Sequence, residues 1–241
     1  MPDRLPALTF FFPAYNEEAN LEVVVSEALE TLPRFAERFE VVIVDDGSRD
    51  RTPELADALA AGDPRVRVIH HRPNRGYGGA VRSGLASART PYVFFTDGDR
   101  QFRLADLHLL TSRIDDADAV VGYRIKRSDP ARRLVIASVY KHILRLVFGS
   151  GFRDVDCAYK LFRTELFERV PLARVRSNGA FFSAELLLTL GAAGARVVQV
   201  GVPHHPRVAG LAAGAAPRVV ARTLRDLVLL RMRLWTARGG P

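Results

Sequence analysis

Tyr92-Val93-Phe94-Phe95-Thr96-Asp97-Gly98-Asp99-Arg100-Gln101 decides the fold. Five consecutive aromatic or β-branched residues, too few for a helix, break off into two carboxylates separated by a glycine. A strand without polar alternation is covered on both faces, as happens in a mostly parallel sheet with helices on either side.

Working outward, the same alternation repeats. Leu8 to Phe12, Val41 to Asp45, Val66 to His70 and Ala119 to Gly122 have strand length and apolar content, which makes five buried strands. Between them lie segments with helical spacing and start signals: Asn16 ahead of Glu17 to Glu30, Thr52-Pro53 opening a helix to Ala61, and Gly79 to Ala88. Strand then helix, repeated, predicts an α/β fold with a Rossmann-like, mostly parallel sheet and helices on both faces. Ligands of such sheets sit beyond the carboxyl ends of the strands. The polar clusters Pro13 to Glu17, Asp45 to Ser48 and Asp97 to Gln101 all fall there.

Both carboxylates of Asp97-Gly98-Asp99 therefore leave a sheet edge, where Gly98 keeps the turn open and hard oxygen ligands suit Mg²⁺ or Mn²⁺. Gln101 could add a neutral oxygen. An isolated Asp-x-Asp is more often a solvated turn; two further polar clusters at neighbouring strand ends reverse that judgement. Asp45-Asp46-Gly47-Ser48 can offer a carboxylate to a nucleobase N–H or a ribose hydroxyl, and reads equally well as a turn with a helix cap.

Other chemistries find less support. Asn74-Arg75-Gly76-Tyr77-Gly78-Gly79 has neither dinucleotide spacing nor a Walker lysine. The six histidines form no HExxH pair, and His204-His205 between prolines reads as a loop contact. The single cysteine, Cys157, excludes an intramolecular disulfide and a multi-cysteine zinc site, and reads as a small buried hydrophobe. No apolar stretch reaches the roughly 20 residues of a membrane span, because Glu185 interrupts Ala180 to Ala195. The first apolar run is too short for a signal peptide, so a cytoplasmic protein is expected.

The formal charge is +8, and from His204 to the end seven arginines face one acid, Asp226. A helix over 218–235, at about 100° per residue, gathers Arg218, Arg222, Arg225, Asp226 and Arg233 on one side. Val220, Leu224, Leu227, Val228, Leu234 and Trp235 lie on the other, with Arg231 intruding. This is the pattern of a helix lying on an anionic membrane surface, and equally of a surface helix packed on its own core. Nucleic acid is not expected as a partner, since the arginines lack interleaved aromatics and a reading motif.

Pro13-Ala14-Tyr15-Asn16-Glu17-Glu18, Val44-Asp45-Asp46-Gly47-Ser48, Asp97-Gly98-Asp99-Arg100-Gln101 and Gly122-Tyr123-Arg124 together resemble the family 2 glycosyltransferases, in particular the dolichyl-phosphate and polyprenyl-phosphate sugar synthases. The resemblance runs from about Leu8 to Gly210. It implies a GT-A fold in one domain over 1–241, with a donor half to about 122, an acceptor half over 123–210 and the basic helix after it. It also implies that Pro13, Tyr15, Glu17, Val44 and Asp46 surround the nucleoside of a UDP- or GDP-sugar. Asp97 with Gly98 would lie near the ribose and diphosphate, and Asp99 and Gln101 would hold the metal. Arg124 would meet the donor diphosphate or the acceptor phosphate, and Arg207 would close over the donor. In the family a serine and a lysine usually follow that arginine and its glycine; here Ala212 and Ala213 stand instead, one positive charge fewer. The QxxRW motif of the membrane-embedded polysaccharide synthases is absent.

The expected reaction is transfer of one sugar to a polyprenyl phosphate with inversion, at the inner face of a membrane, serving cell-envelope glycosylation. A phosphate acceptor is already anionic and needs only cations to hold it: Arg124, with Arg132, Arg133 or Lys141 as further candidates. A hydroxyl acceptor would need a base, for which Asp154 or Asp156 would serve, Asp156 being kept as a site residue. A non-catalytic nucleotide-sugar binding module is the remaining alternative.

Overall fold

The computed structural model describes residues 4–125, 131–206 and 217–236. Lys126, Arg127, Arg207, Ala212, Ala213 and the loop Leu211 to Ala216 lie outside them, as do the side chains of Arg132, Arg133, Val220 and Trp235.

Strands β1 (Leu5–Ala14), β2 (Ala36–Asp45), β3 (Val66–His70), β4 (Tyr92–Thr96), β5 (Ala119–Arg124), β6 (Tyr159–Arg163) and β7 (Val197–Val202) form one sheet in the order β3-β2-β1-β4-β6-β5-β7. Only β6 runs antiparallel to its neighbours. Helices α1 (Leu21–Thr31), α2 (Thr52–Gly62) and α3 (Tyr77–Ala86) connect the first four strands. The short α4 (His108–Thr111) precedes β5, α5 (Ala131–Phe148) follows it, and α6 (Leu166–Arg169), α7 (Phe182–Ala192) and α8 (Pro217–Thr236) complete the order.

The α/β, mostly parallel GT-A-like architecture expected from the sequence is present, with seven strands rather than five. β6 escaped notice because Lys160 and Arg163 interrupt its apolar run, and β7 because Gln199 does. Helix α1 starts at Leu21 behind Asn20, not at Glu17, because Asn16 takes φ 56° and the chain turns before it coils. Helix α3 begins at Tyr77, two residues ahead of the expected Gly79.

Period-two alternation sends Phe10 and Phe12 to one face of β1 and Phe11 to the other. On the first face Leu21, Val24, Val25 and Ala28, spaced as one stripe of α1, cover Phe10 and Phe94, whose ring centroids lie 5.5 Å apart. On the second, α3 and α7 cover Phe11 and Phe95, 5.2 Å apart. Burying each such ring contributes about 1.5–3 kcal/mol. Helix α3 lies so close that a Cβ on Gly84 would come within 2.1 Å of the Phe11 ring.

Helix α7 is buried from Phe182 to Leu190, which explains why its sequence is apolar on all sides. Its one charge, Glu185, is 1% exposed and accepts bonds from Ser177 N and Arg233 Nη2, each at 2.7 Å. Among the described residues no helix is long and apolar enough to cross a membrane.

Helix α8 packs differently from the two arcs expected. Asp226, assigned to the polar side, is buried and takes a bond from Ser177 Oγ at 2.9 Å, while Leu227 and Leu230 join a core cluster with Leu144 and Leu187. Leu224 and Val228, assigned to the apolar side, are exposed with Leu229 and Met232 and do not pack on the body. The helix faces the body with a mixed stripe and turns aliphatic side chains outward among its arginines.

Candidate functional site

Strands β2 and β3 lie to one side of β1, and β4 to the other, so the order reverses between β1 and β4. A crevice opens at such a switch point beyond the carboxyl ends. The turn after each of these two strands holds a non-glycine residue in the left-handed region, Asn16 at φ 56° and Arg100 at φ 60°. Each costs about 1–2 kcal/mol, a strain that tends to collect at functional edges.

Gly98 lets the two strand ends close up: a Cβ there would stand 3.1 Å from the Phe12 ring and 3.3 Å from Pro13 O. Asp99 is 4% exposed, and its Oδ1 accepts from Gln101 N at 3.1 Å. Gln101 Nε2 donates to His205 O at 3.2 Å, which leaves Oε1 as the oxygen able to ligate. Asp97 interacts with the hydroxyl of Tyr77, a phenol that burial first, then the Asp97 charge, holds firmly protonated.

The residues expected around the nucleoside fall into two groups. Tyr15 is 46% exposed at the end of β1, with Pro13 half-buried beside it. Glu17 is half-buried; its Oε2 accepts from Asn20 Nδ2 at 2.7 Å and its N donates to Thr52 Oγ1 at 2.9 Å. Val44, by contrast, is fully buried in the core against α3, so its side chain cannot touch a ligand. Asp46 is 4% exposed, its Oδ1 bonded to His71 Nδ1 at 2.7 Å and Arg75 N at 2.8 Å. Asp45 acts within the turn: Oδ1 accepts from Ser48 N at 2.9 Å and Oδ2 pairs with His70 Nδ1 at 2.8 Å.

Further along the same edge, β5 ends in Arg124 and β6 begins just after Asp154 and Asp156. Arg124, expected to meet a phosphate, is also paired within the protein. Its Nε and Nη2 grip Asp154 at 2.6 and 2.7 Å, with both side chains about one-tenth exposed. Burial opposes the guanidinium's charge, but the Asp154 carboxylate outweighs it and raises Arg124 above its ordinary range. Asp156 is exposed. A cavity of about 660 Å³ opens here, lined among others by Tyr123, Arg124, Tyr140, Lys141, Asp154 and Asp156.

Sequence reasoning passed over Lys160, which is fully buried on β6 between β4 and β5. Its ammonium donates to Cys157 O and lies 5.4 Å from the centroid of the Phe95 ring. Burial lowers its pKa, while Asp154, Asp156 and Asp97 act to keep it charged. The signal was a lysine inside an otherwise apolar run. His71, which fixes Asp46, was missed because nothing in the sequence pairs two residues 25 positions apart. Cys157 is buried as expected, its thiol pushed up to about 12 by that burial, which leaves it a poor nucleophile.

Residues 9–170 match the family model for glycosyl transferase family 2. The chain is 35% identical over 203 residues to glycosyltransferase AglD of Haloferax volcanii, covering 81% of this chain and 32% of AglD, so it spans about a third of that relative's length. It is 30% identical over 237 residues to polyprenol monophosphomannose synthase of Mycolicibacterium smegmatis, covering 94% and 86% of the two chains. Among solved structures it is similar to glucosyl-3-phosphoglycerate synthase of Mycobacterium tuberculosis, a complex with Mn²⁺, UDP and phosphoglyceric acid, with TM-score 0.72, 17% identity, and coverage of 94% and 78%.

Proposed function

As a member of glycosyl transferase family 2, this chain is an enzyme of sugar transfer, and we propose that it moves one sugar from a UDP- or GDP-sugar to a polyprenyl phosphate, with Asp99 and Gln101 holding a divalent cation. The observation that carries this reading is one sheet edge: Asp97, Asp99 and Gln101 stand at the switch point, and the cavity of Arg124 and Asp156 opens on the same side. The polyprenol monophosphomannose synthase among its relatives supports the acceptor class.

The donor set fits the cation. Asp99 and Gln101 offer two hard oxygens and Gly98 leaves the approach open, while the described residues contain no cluster of three or more His, Cys, Asp or Glu ligands. Mg²⁺ and Mn²⁺ suit such a sparse set, because phosphate oxygens of the ligand supply the rest. When bound, the cation would neutralise charge building on the departing diphosphate.

In the crevice, Tyr15 and Pro13 would flank the nucleoside, Asp46 would accept from its ring N–H, and Val44 would contribute backbone alone. Asp97, with the Tyr77 hydroxyl behind it, would sit against the ribose and diphosphate, and Glu17 would hold the turn over Thr52. The acceptor's phosphate oxygen attacks the anomeric carbon as that carbon's bond to the diphosphate oxygen breaks. The bonding pair leaves with the nucleoside diphosphate, and configuration inverts. No proton need be removed from the acceptor; orientation is the protein's main contribution. Arg124, fixed by Asp154, would serve as a rigid positive wall rather than a mobile clamp. Arg207 would close over the donor.

A hydroxyl acceptor is the second reading, favoured by one observation: Asp156 is exposed and lines the cavity. Asp156→Asn separates the two. A hydroxyl acceptor loses its base and about 100-fold or more in rate, whereas a phosphate acceptor loses little.

Thermal unfolding with nucleotide-sugars and Mn²⁺ tests the donor assignment. One nucleotide class should raise the Tm only when the metal is present, and Asp99→Ala should abolish the rise. A rise that ignores metal and Asp99 would overturn it.

A further inference from the structure

In the cavity beside β5, one polar atom is out of keeping with its surroundings. The Tyr140 hydroxyl is buried and has no hydrogen-bond partner among the described residues. Native interiors rarely leave a buried O–H unmet, so one at the edge of a cavity calls for a functional explanation. Its ring packs at the margin of the core cluster that contains Leu144, one turn further along α5, so the side chain is braced from behind. Tyr140 and Lys141 both line the cavity, as do Arg124 and Asp156.

Resting on the reading that this cavity receives an acceptor phosphate, we propose that Tyr140 is an acceptor-binding residue whose hydroxyl donates a hydrogen bond to a phosphate oxygen. The chemistry is complementary. A phosphate offers only acceptors at neutral pH, and the cavity must supply donors. Arg124 spends Nε and Nη2 on Asp154, so much of its fork is committed. Burial, and after it the Asp156 charge, push the phenol's ionisation upward, so Tyr140 stays a neutral donor and does not act as a base. Asp156 acts on it through space and takes no bond from it. Lys141, exposed on the next position of α5, adds a cation to the lining of the same cavity.

Tyr140→Phe removes one oxygen and keeps the ring. If the hydroxyl waits for the acceptor, the variant should have an unchanged or higher Tm in the free protein, since nothing native is lost. Its KM for polyprenyl phosphate should rise about tenfold, the scale of one lost hydrogen bond to a charged group, with the KM for the nucleotide-sugar unchanged. An equal KM for polyprenyl phosphate in variant and wild type would overturn the assignment, as would a lowered Tm with that KM unchanged, the mark of a packing role. Wild-type protein that hydrolyses nucleotide-sugar but gives no product with polyprenyl phosphate would instead overturn the acceptor reading, and this assignment with it.

Discussion

Asp46 Oδ1 is held from two sides, by His71 Nδ1 at 2.7 Å and Arg75 N at 2.8 Å, while His71 Nε2 meets Ser83 Oγ at 2.8 Å. With Nδ1–H donating to the carboxylate, Nε2 accepts from the serine, and the chain of bonds runs from α3 to the end of β2. His71→Ala should leave a buried carboxylate short of a donor, costing about 1–3 kcal/mol of stability. It should also raise the KM for nucleotide-sugar more than it lowers kcat; denaturant unfolding and steady-state kinetics read the two effects. His70 next door answers to pH. Burial acts to lower its pKa, but Asp45 and Asp57 outweigh burial and leave it raised. Its contribution is complete below the unfolded value of about 6.5 and fades as pH climbs through the higher folded value. Thermal unfolding across that window should show the decline, and His70→Gln should flatten it. Asp97, Asp99 and Gln101 were legible in sequence because a strand's end announces itself locally. The pairings of His71 with Asp46 and of Tyr77 with Asp97 were not, because each partner comes from another element.

At the scale of elements, β1 and α3 were legible from apolar spacing, but the closeness between them was not. Gly84 reads as an ordinary helix glycine until Phe11 is seen beneath it. Gly84→Ala should overpack that contact and destabilise by about 1–3 kcal/mol, measured by chemical denaturation, despite alanine's better helix propensity. β6 shows the opposite failure, since a buried lysine made a core strand look like surface. For α8 the periodicity was real but its phase relative to the body was set by Glu185, Ser177 and the aliphatic cluster, none adjacent in sequence. Leu224 and Val228 face outward with Arg231 next to Leu224 on the helix wheel, a surface suited to anionic headgroups. Replacing Leu224 and Val228 by serine and Arg231 by glutamine should weaken sedimentation with anionic liposomes several-fold without lowering the Tm. Equal sedimentation would remove the proposed role of this face. Truncating the helix would be a poorer test, because it strips Arg233 from Glu185.

For the whole molecule, the sheet order places the groups proposed to meet donor and acceptor along one edge: β2 and β1 bring Asp46 and Tyr15, β4 brings Asp97 and Asp99, and β5 and β6 bring Arg124 and Asp156. Antiparallel β6 matters here, since its reversed direction puts the start of the strand, and Asp156 before it, at the edge where the parallel strands end. That reversal is invisible to hydrophobic periodicity, which carries no strand direction, so apolar spacing alone does not place Asp156 at this edge. The claim that unites these elements is cation-dependent sugar transfer to a lipid phosphate, and it is tested most directly by following labelled sugar from UDP- and GDP-sugars into polyprenyl phosphate, with wild type and Asp99→Ala, with Mn²⁺ and with chelator. Wild type should give lipid-linked product only when the metal is present, and Asp99→Ala should lose about 100-fold or more, the scale of removing an electrostatic stabiliser of a transition state. Product formation indifferent to chelator and to Asp99 would contradict it.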